Sequence, residues 1–286
     1  MSSDLPRRVM VAAIGIPVAV GMVFLGHWWL TALLVVFGLV GTAELYRLAQ
    51  TAGVRPLAAA GMAGAAALPI VTYGIVQGVW VPDLRWLAFG VAAWLVLVTG
   101  QAVALRGPTA RPLEAAAVTV FGAVYAGGLP AFLILLRHSP GPPSEWAATA
   151  VVFLPLLVIW VGDSVAMGVG YAVRGPKLAP VLSPNKTWAG AIGGGLAAVV
   201  AAPLYGALVL RPLGIDLSLW QLAVLGLVLS LLGQSGDVAE SLFKRQVGVK
   251  DSGGFFPGHG GVLDRFDALY WAIPGATVLL TIFGVL

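Results

Sequence analysis

Cysteine is absent from the 286-residue chain, which excludes a disulfide scaffold, a thiolate zinc site and a cysteine nucleophile. Charge is scarce too: Asp, Glu, Lys and Arg make up 10% of the chain, against roughly 25% in an ordinary soluble domain. Histidine occurs three times. Any chemistry must therefore rest on a few carboxylates, hydroxyls and nitrogen bases. The net charge of +4 is small, and nucleic acid is not expected as a partner. In place of charge the chain has 59% hydrophobic residues, 38 Gly and 10 Trp, a balance that makes the bilayer its solvent.

A spanning helix needs about 20 mainly apolar residues. Nine such runs are read, near 9–27, 29–46, 57–79, 86–105, 115–136, 147–172, 190–210, 219–240 and 268–286. The predicted fold is all-α, a polytopic helical membrane protein with five spans in 1–145 and four in 146–286. Arg7-Arg8 resembles the start of a signal peptide, but the apolar stretch runs far beyond a signal core and is read as a retained first span. His27-Trp28-Trp29 marks a tight hairpin at an interface, where indole rings are favoured.

Lys and Arg orient the nine-span arrangement. Arg7, Arg8, Arg47, Arg55, Arg106, Arg111, Arg174, Lys177, Lys186, Lys244, Arg245, Lys250 and Arg265 fall on the side of the N-terminus, 13 of the 16 basic residues. Only Arg85, Arg137 and Arg211 fall opposite. Cytoplasmic loops are the ones enriched in Lys and Arg, so the N-terminus is expected in the cytoplasm and the protein in a cell membrane. The last two inside connections are the longest. Between Asp237 and Asp267 lie five acids and four bases, 9 of the chain's 28 charges, a density that ordinary loops do not need.

Three segments hold the chemistry. In Ser235-Gly236-Asp237-Val238-Ala239-Glu240-Ser241-Leu242-Phe243-Lys244-Arg245, positions 237, 240, 241 and 244 share one helix face, with Asp237 deepest. Glu240 and Lys244 also suit a plain i,i+4 pair. The run from Lys250 to Asp267 contains five glycines that free the backbone to approach a ligand, flanked by Lys250 and Arg265 and closed by Asp264 and Asp267. Oxygen ligands without cysteine, beside groups that bind anions, suit Mg²⁺ with phosphates. In Ser183-Pro184-Asn185-Lys186-Thr187, Ser followed by Pro reads as the cap and first residue of a helix whose N-terminus binds phosphate, with Lys186 and Thr187 in its first turn. A snorkelling surface lysine is the alternative for Lys186. Asp163 is an acid within the sixth span, either a ligand or a partner for Lys186 or Arg174.

The run Ser241-Leu-Phe-Lys244-Arg245-(four residues)-Lys250-Asp251-Ser-Gly253-Gly-Phe-Phe256-Pro257-Gly-His259-Gly260-Gly261-Val-Leu-Asp264-Arg265-Phe-Asp267 resembles the signature of the phosphatidate cytidylyltransferases, or CDP-diacylglycerol synthases. Trp160-Val-Gly-Asp163 and the Ser183–Thr187 segment resemble the same family, so the likeness covers roughly the C-terminal half. Ala189 departs from the pattern, in which Gln or Glu is common. Residues 1–145 show a compatible membrane architecture only.

The resemblance implies transfer of CMP from CTP to phosphatidate, giving CDP-diacylglycerol and pyrophosphate, with Mg²⁺ required and a second cation allowed in the same centre. It implies a homodimer, with CTP, phosphatidate and membrane lipids as partners. It also suggests Asp237 and Asp264 as metal ligands. Lys244, Arg245 and Lys250, with Ser241 beside them, are candidates for phosphate contacts, and Ser183, Lys186 and Thr187 for the nucleotide. Asp267 is expected to hold Arg265 or a metal-bound water, and His259 to donate to phosphate or order the loop. A cytidylyltransferase for another lipid phosphate and a transporter of anionic metabolites are the rival readings. Against the transporter stand the gathering of charge beside one face and the lack of a discernible repeat.

Overall fold

A computed structural model describes the backbone of residues 5–79, 83–258 and 260–286, with side chains from residue 13 onward. The side chains of Arg7 and Arg8, and the whole of His259, lie outside the described residues. Helix dominates: α1 (Leu5–Leu25), α2 (His27–Thr51), α3 (Ala58–Val76), α4 (Leu84–Leu105), α5 (Pro112–Gly122), α6 (Leu129–His138), α7 (Glu145–Val173), α8 (Trp188–Tyr205), α9 (Leu219–Gln246), α10 (Leu263–Phe266) and α11 (Leu269–Ile282). Helices suit an apolar solvent because they satisfy every backbone polar group within the segment.

Among the described residues, seven helical stretches are long and apolar enough to cross a bilayer: His27–Thr51, Ala58–Val76, Leu84–Leu105, Pro108–His138, Glu145–Val173, Trp188–Leu213 and Leu219–Gln246. The described apolar part of α1, Ala13–Leu25, and the 14-residue α11 are shorter. Large apolar side chains face outward along these helices, for instance Val96 at 68% and Leu97 at 63% exposure on α4, as lipid contact requires. Polar caps mark several starts. Asp83 accepts the Arg85 N–H at 2.9 Å, and Ser144 accepts that of Ala147 at 3.1 Å.

The connection before α8 contains strands where a loop and a helix start are expected. Lys177–Ala179 (β1) and Ser183–Thr187 (β2) form a small antiparallel hairpin. The helix expected to begin at Ser183-Pro184 begins at Trp188 instead. Thr187 is its cap, accepting the Gly190 N–H at 3.1 Å, because its extended backbone turns the hydroxyl onto the helix end. Lys186 accordingly lies on a strand, just outside the helix.

The described chain divides into two compact units, each discontinuous in sequence. The first comprises the residues up to Ile134 together with Gln246–Arg265. Its helices meet through small residues and one tyrosine. The Tyr46 hydroxyl donates to the Thr119 carbonyl at 2.7 Å, while the Thr119 hydroxyl accepts the Leu57 N–H at 2.7 Å. A π-helical turn, Ala123–Gly128, joins α5 to α6, and a Cβ at Gly127 would lie 2.6 Å from the Ala65 carbonyl oxygen. This contact is possible only for glycine.

The second unit comprises Leu135–Arg245 and Phe266–Leu286. Glycines again bring helices close. A Cβ at Gly194 would lie 2.7 Å from the Gly162 carbonyl oxygen, one at Gly190 2.6 Å from that of Ala166, and one at Gly226 2.3 Å from that of Ala198. Between helices in lipid, where apolar burial gives little drive, such close backbone packing supplies much of the association.

Candidate active site

Two of the acids singled out in sequence directly follow glycines at these crossings. Gly162 packs on α8 and is followed by Asp163; Gly236, whose Cβ would meet the Asp267 carbonyl oxygen at 2.5 Å, is followed by Asp237. Successive helical residues are about 100° apart, so each acid stands at the edge of a tight backbone contact. Asp163 interacts electrostatically with both Asp237 and Lys186, and Asp267 with Asp237, Lys244 and Asp163. Three carboxylates and two lysines therefore form one charged cluster in the second unit.

Lys186 forms an ion pair with Asp237, and both side chains are about 70% buried, with exposures of 28% and 31%. Asp163 lies within electrostatic reach of Lys186, whose ion pair is with Asp237. Lys244 pairs at 3.1 Å with Glu240 on the same helix, and Glu240 is 1% exposed. The plain i,i+4 pairing is what forms here, although burial makes it more consequential than a surface pair. Arg245 is exposed, and its Nε donates to the Leu182 carbonyl at 3.3 Å, tying the end of α9 to the turn of the hairpin. Ser241 is buried on α9, Ser183 is half-buried on β2, and Thr187 is buried in its capping role.

Asp267 accepts the N–H of Ala268 at 2.7 Å. Burial, and after it the negative charge of Asp237, pushes the Asp267 carboxyl up to about 7. Lys244 and the Ala268 N–H pull in the opposite direction.

The glycine-rich loop belongs to the first unit. Lys250 and Arg265 are exposed, whereas Asp264 turns into the loop. Its Oδ2 accepts the N–H groups of Ser252 and Gly261, both at 2.8 Å, and the Ser252 hydroxyl at 2.9 Å. Several loop glycines serve these carboxylates, where a ligand-facing role was expected. A Cβ at Gly260 would come within 2.8 Å of Asp264, and one at Gly253 or Gly261 within 2.3 or 2.5 Å of Glu44. Gly254 alone of these four has open space around its Cβ position.

Glu44 is not among the residues that the sequence pattern singles out. It lies on α2, 1% exposed, and its Oε2 accepts the Leu263 N–H at 3.0 Å and lies 3.4 Å from the Ser252 hydroxyl. A lone acid inside a spanning run was the available signal.

Among the described residues no three acids or histidines converge closely enough to enclose a metal ion by themselves. The donor set nonetheless fits Mg²⁺. Asp237 and Asp264 would each offer hard oxygen donors, and Mg²⁺ is commonly held by one or two carboxylates with water and substrate phosphates completing the shell.

The chain matches the model of the cytidylyltransferase family over residues 6–283. It is 38% identical over 284 residues to a protein of Brucella abortus named phosphatidate cytidylyltransferase, covering 99% of this chain and 94% of the relative. A protein of the same name from Staphylococcus saprophyticus is 41% identical over 129 residues, 45% of this chain and 48% of that relative. With both sequence halves covered by the family model and by the Brucella relative, the chain belongs to the cytidylyltransferase family.

Proposed function

We propose that the protein transfers CMP from CTP to phosphatidate, giving CDP-diacylglycerol and pyrophosphate for phospholipid synthesis. The observation that carries this reading is the likeness along essentially the whole chain to phosphatidate cytidylyltransferases of bacteria. The charged cluster supports it with groups suited to phosphoryl chemistry.

In the reaction a lipid phosphate oxygen attacks the α-phosphorus of CTP, the bond from that phosphorus to the bridging oxygen breaks, and pyrophosphate leaves. The lipid phosphate monoester has a second pKa of about 6 and is largely dianionic at neutral pH, so no strong base is required. The protein's task is then to place the two phosphates in line and offset their repulsion. Lys186, with Ser183 and Thr187 in the same segment, is assigned to the nucleotide. Its pairing with Asp237 keeps the ammonium oriented until an anion competes for it. Lys244, Arg245 and Lys250, with Ser241, are assigned to the lipid phosphate, and Arg265 and His259 to further phosphate contacts. Asp237 and Asp264 are each proposed as Mg²⁺ ligands, with Asp163 and Asp267 adding negative charge around Asp237. Mg²⁺ would supply neutralisation of the triphosphate and of the leaving pyrophosphate.

Nine spans, an N-terminus and active site on the cytoplasmic side of a bacterial membrane, and a homodimer complete the proposal. The excess of Lys and Arg on one side supports the orientation, and the resemblance supports the dimer. Purified protein reconstituted with labelled CTP, Mg²⁺ and phosphatidate is expected to yield CDP-lipid and pyrophosphate in equal amounts. Turnover of an ether-linked lipid phosphate in preference to phosphatidate would reassign the substrate, and no CDP-lipid from either would overturn the reading.

A further inference from the structure

We infer that Glu44 is a positioning residue for the glycine-rich loop and, through it, for Asp264. The inference rests on the proposed reaction only in making Asp264 part of the active site. Its structural basis stands within one compact unit.

Glu44 comes from the second helix, more than 200 residues before the loop it touches. Its carboxylate meets that loop at both ends. The Leu263 N–H donates to Oε2 at 3.0 Å, which fixes the backbone immediately before Asp264, and the Ser252 hydroxyl lies 3.4 Å from the same oxygen. That hydroxyl has one proton and stands closer to Asp264 Oδ2, at 2.9 Å. Ser252 is therefore shared between the two acids, and its orientation couples them. Two glycines make room for the arrangement, since a Cβ at Gly253 or Gly261 would overlap the Glu44 carboxyl group. The carboxyl group is buried, so water does not compete for these donors, and hydrogen bonds there are worth more than exposed ones. Phe37, on the same helix as Glu44, packs edge-on against Phe255 and Phe256 and so holds the loop's middle on α2.

A loop rich in glycine is conformationally loose by composition. Glu44 removes that looseness where Asp264 needs a fixed direction, while leaving Gly254 open. Its role differs from that of a group touching substrate, because every contact named is to the loop itself.

The experiment uses Glu44→Gln, Glu44→Ala and Ser252→Ala in the full-length protein. Hydrogen exchange is followed at residues 252–263 and in α2 and α3, and kcat is followed separately from the KM for CTP and for phosphatidate. Glu44→Ala is expected to speed exchange at Leu263 and the loop at least tenfold, with α2 and α3 retaining their protection, and to lower kcat at least tenfold with both KM values within threefold. Glu44→Gln, which keeps one acceptor oxygen, should show a smaller change in both readouts. The loss in kcat of Glu44→Gln combined with Ser252→Ala should be smaller than the product of the single losses. Unchanged loop exchange in both Glu44 variants would overturn the inference, as would loss of protection spread evenly over α2 and α3. Exchange is read without substrate, so a wild-type protein that makes no CDP-lipid defeats the proposed reaction while the loop measurement still decides Glu44's role.

Discussion

Lys186 and Asp237, 51 residues apart in sequence, form an ion pair that joins the β-hairpin to the eighth span of the sequence reading, α9. A lysine assigned to the nucleotide and an aspartate assigned to the metal thus neutralise each other before either partner arrives. Asp163 and Asp267 lie within electrostatic reach of Asp237, so removing Lys186 leaves acidic charge without its balance.

Asp237→Asn should abolish turnover, by about a thousandfold or more, with the protein still folded, because it deletes a charge while preserving shape. Lys186→Ala should mainly raise the KM for CTP, by about ten- to hundredfold, the scale of a hydrogen bond to a charged group. Steady-state kinetics at saturating Mg²⁺, beside thermal unfolding, provide the check. Near-normal activity of Asp237→Asn would remove that residue from the site.

Arg245→Ala should mainly raise the KM for phosphatidate. Arg245→Lys should recover part of the loss, since a point charge cannot reproduce a two-pronged contact with phosphate. Because Arg245 also bonds the Leu182 carbonyl, near the nucleotide-side segment, a small rise in the KM for CTP is expected as well. A larger effect on CTP than on lipid would reverse the assignment of the two substrates.

Neighbouring glycines on α8 should behave differently. Gly194→Ala places a methyl 2.7 Å from the Gly162 carbonyl oxygen, whereas Gly195→Ala meets only the Ser230 hydroxyl at 3.8 Å. The first should cost about 1–3 kcal/mol through overpacking and reduce activity, because Asp163 follows Gly162. The second should be neutral or stabilising by up to about 1 kcal/mol through helix propensity. Denaturant titrations in one detergent would compare them, and equal effects would show that the crossing is not tight.

Metal affinity should rise with pH. The Asp267 carboxyl, raised to about 7 by burial and then by Asp237, keeps its proton over a range in which an unfolded chain has lost it. Ionising it therefore costs fold stability as pH climbs from about 4 through 7, and a bound cation offsets that cost. Mg²⁺ binding without substrates should tighten between pH 6 and 8, and Asp267→Asn should flatten the trend. Calorimetric titration would show it, and an equally steep trend in the mutant would assign the dependence to another group.

Seven of the nine apolar runs correspond to described helices long enough to span, and they were legible because a bilayer demands long uninterrupted segments; the charged C-terminal stretches stood out against so little charge elsewhere. The hairpin was not legible. Its three- and five-residue strands are too short for a periodic signal, and Ser183-Pro184 matched a helix start that Thr187 actually provides. Lys186 and Asp237 were both selected, but their pairing depends on how separate segments pack, which neither local pattern contains. Glu44 stands in an apolar run whose pattern signals only a span, and its donor is an amide more than 200 residues later. The π-helical turn at Ala123–Gly128 likewise has no local signature, and its close approach to Ala65 on α3 is a matter of packing.

The return of Gln246–Arg265 to the unit formed by the residues before Leu135 has a consequence for biosynthesis. A ribosome adds about 5–20 residues per second, so the helices of that unit exist for several seconds before their last segment is made. Throughout that interval α2 holds Glu44 while the Leu263 amide that will bind it is still unsynthesised. A nascent chain halted before residue 263 therefore presents a glutamate without that native donor, a chemical difference by which unfinished chains can be told from finished ones.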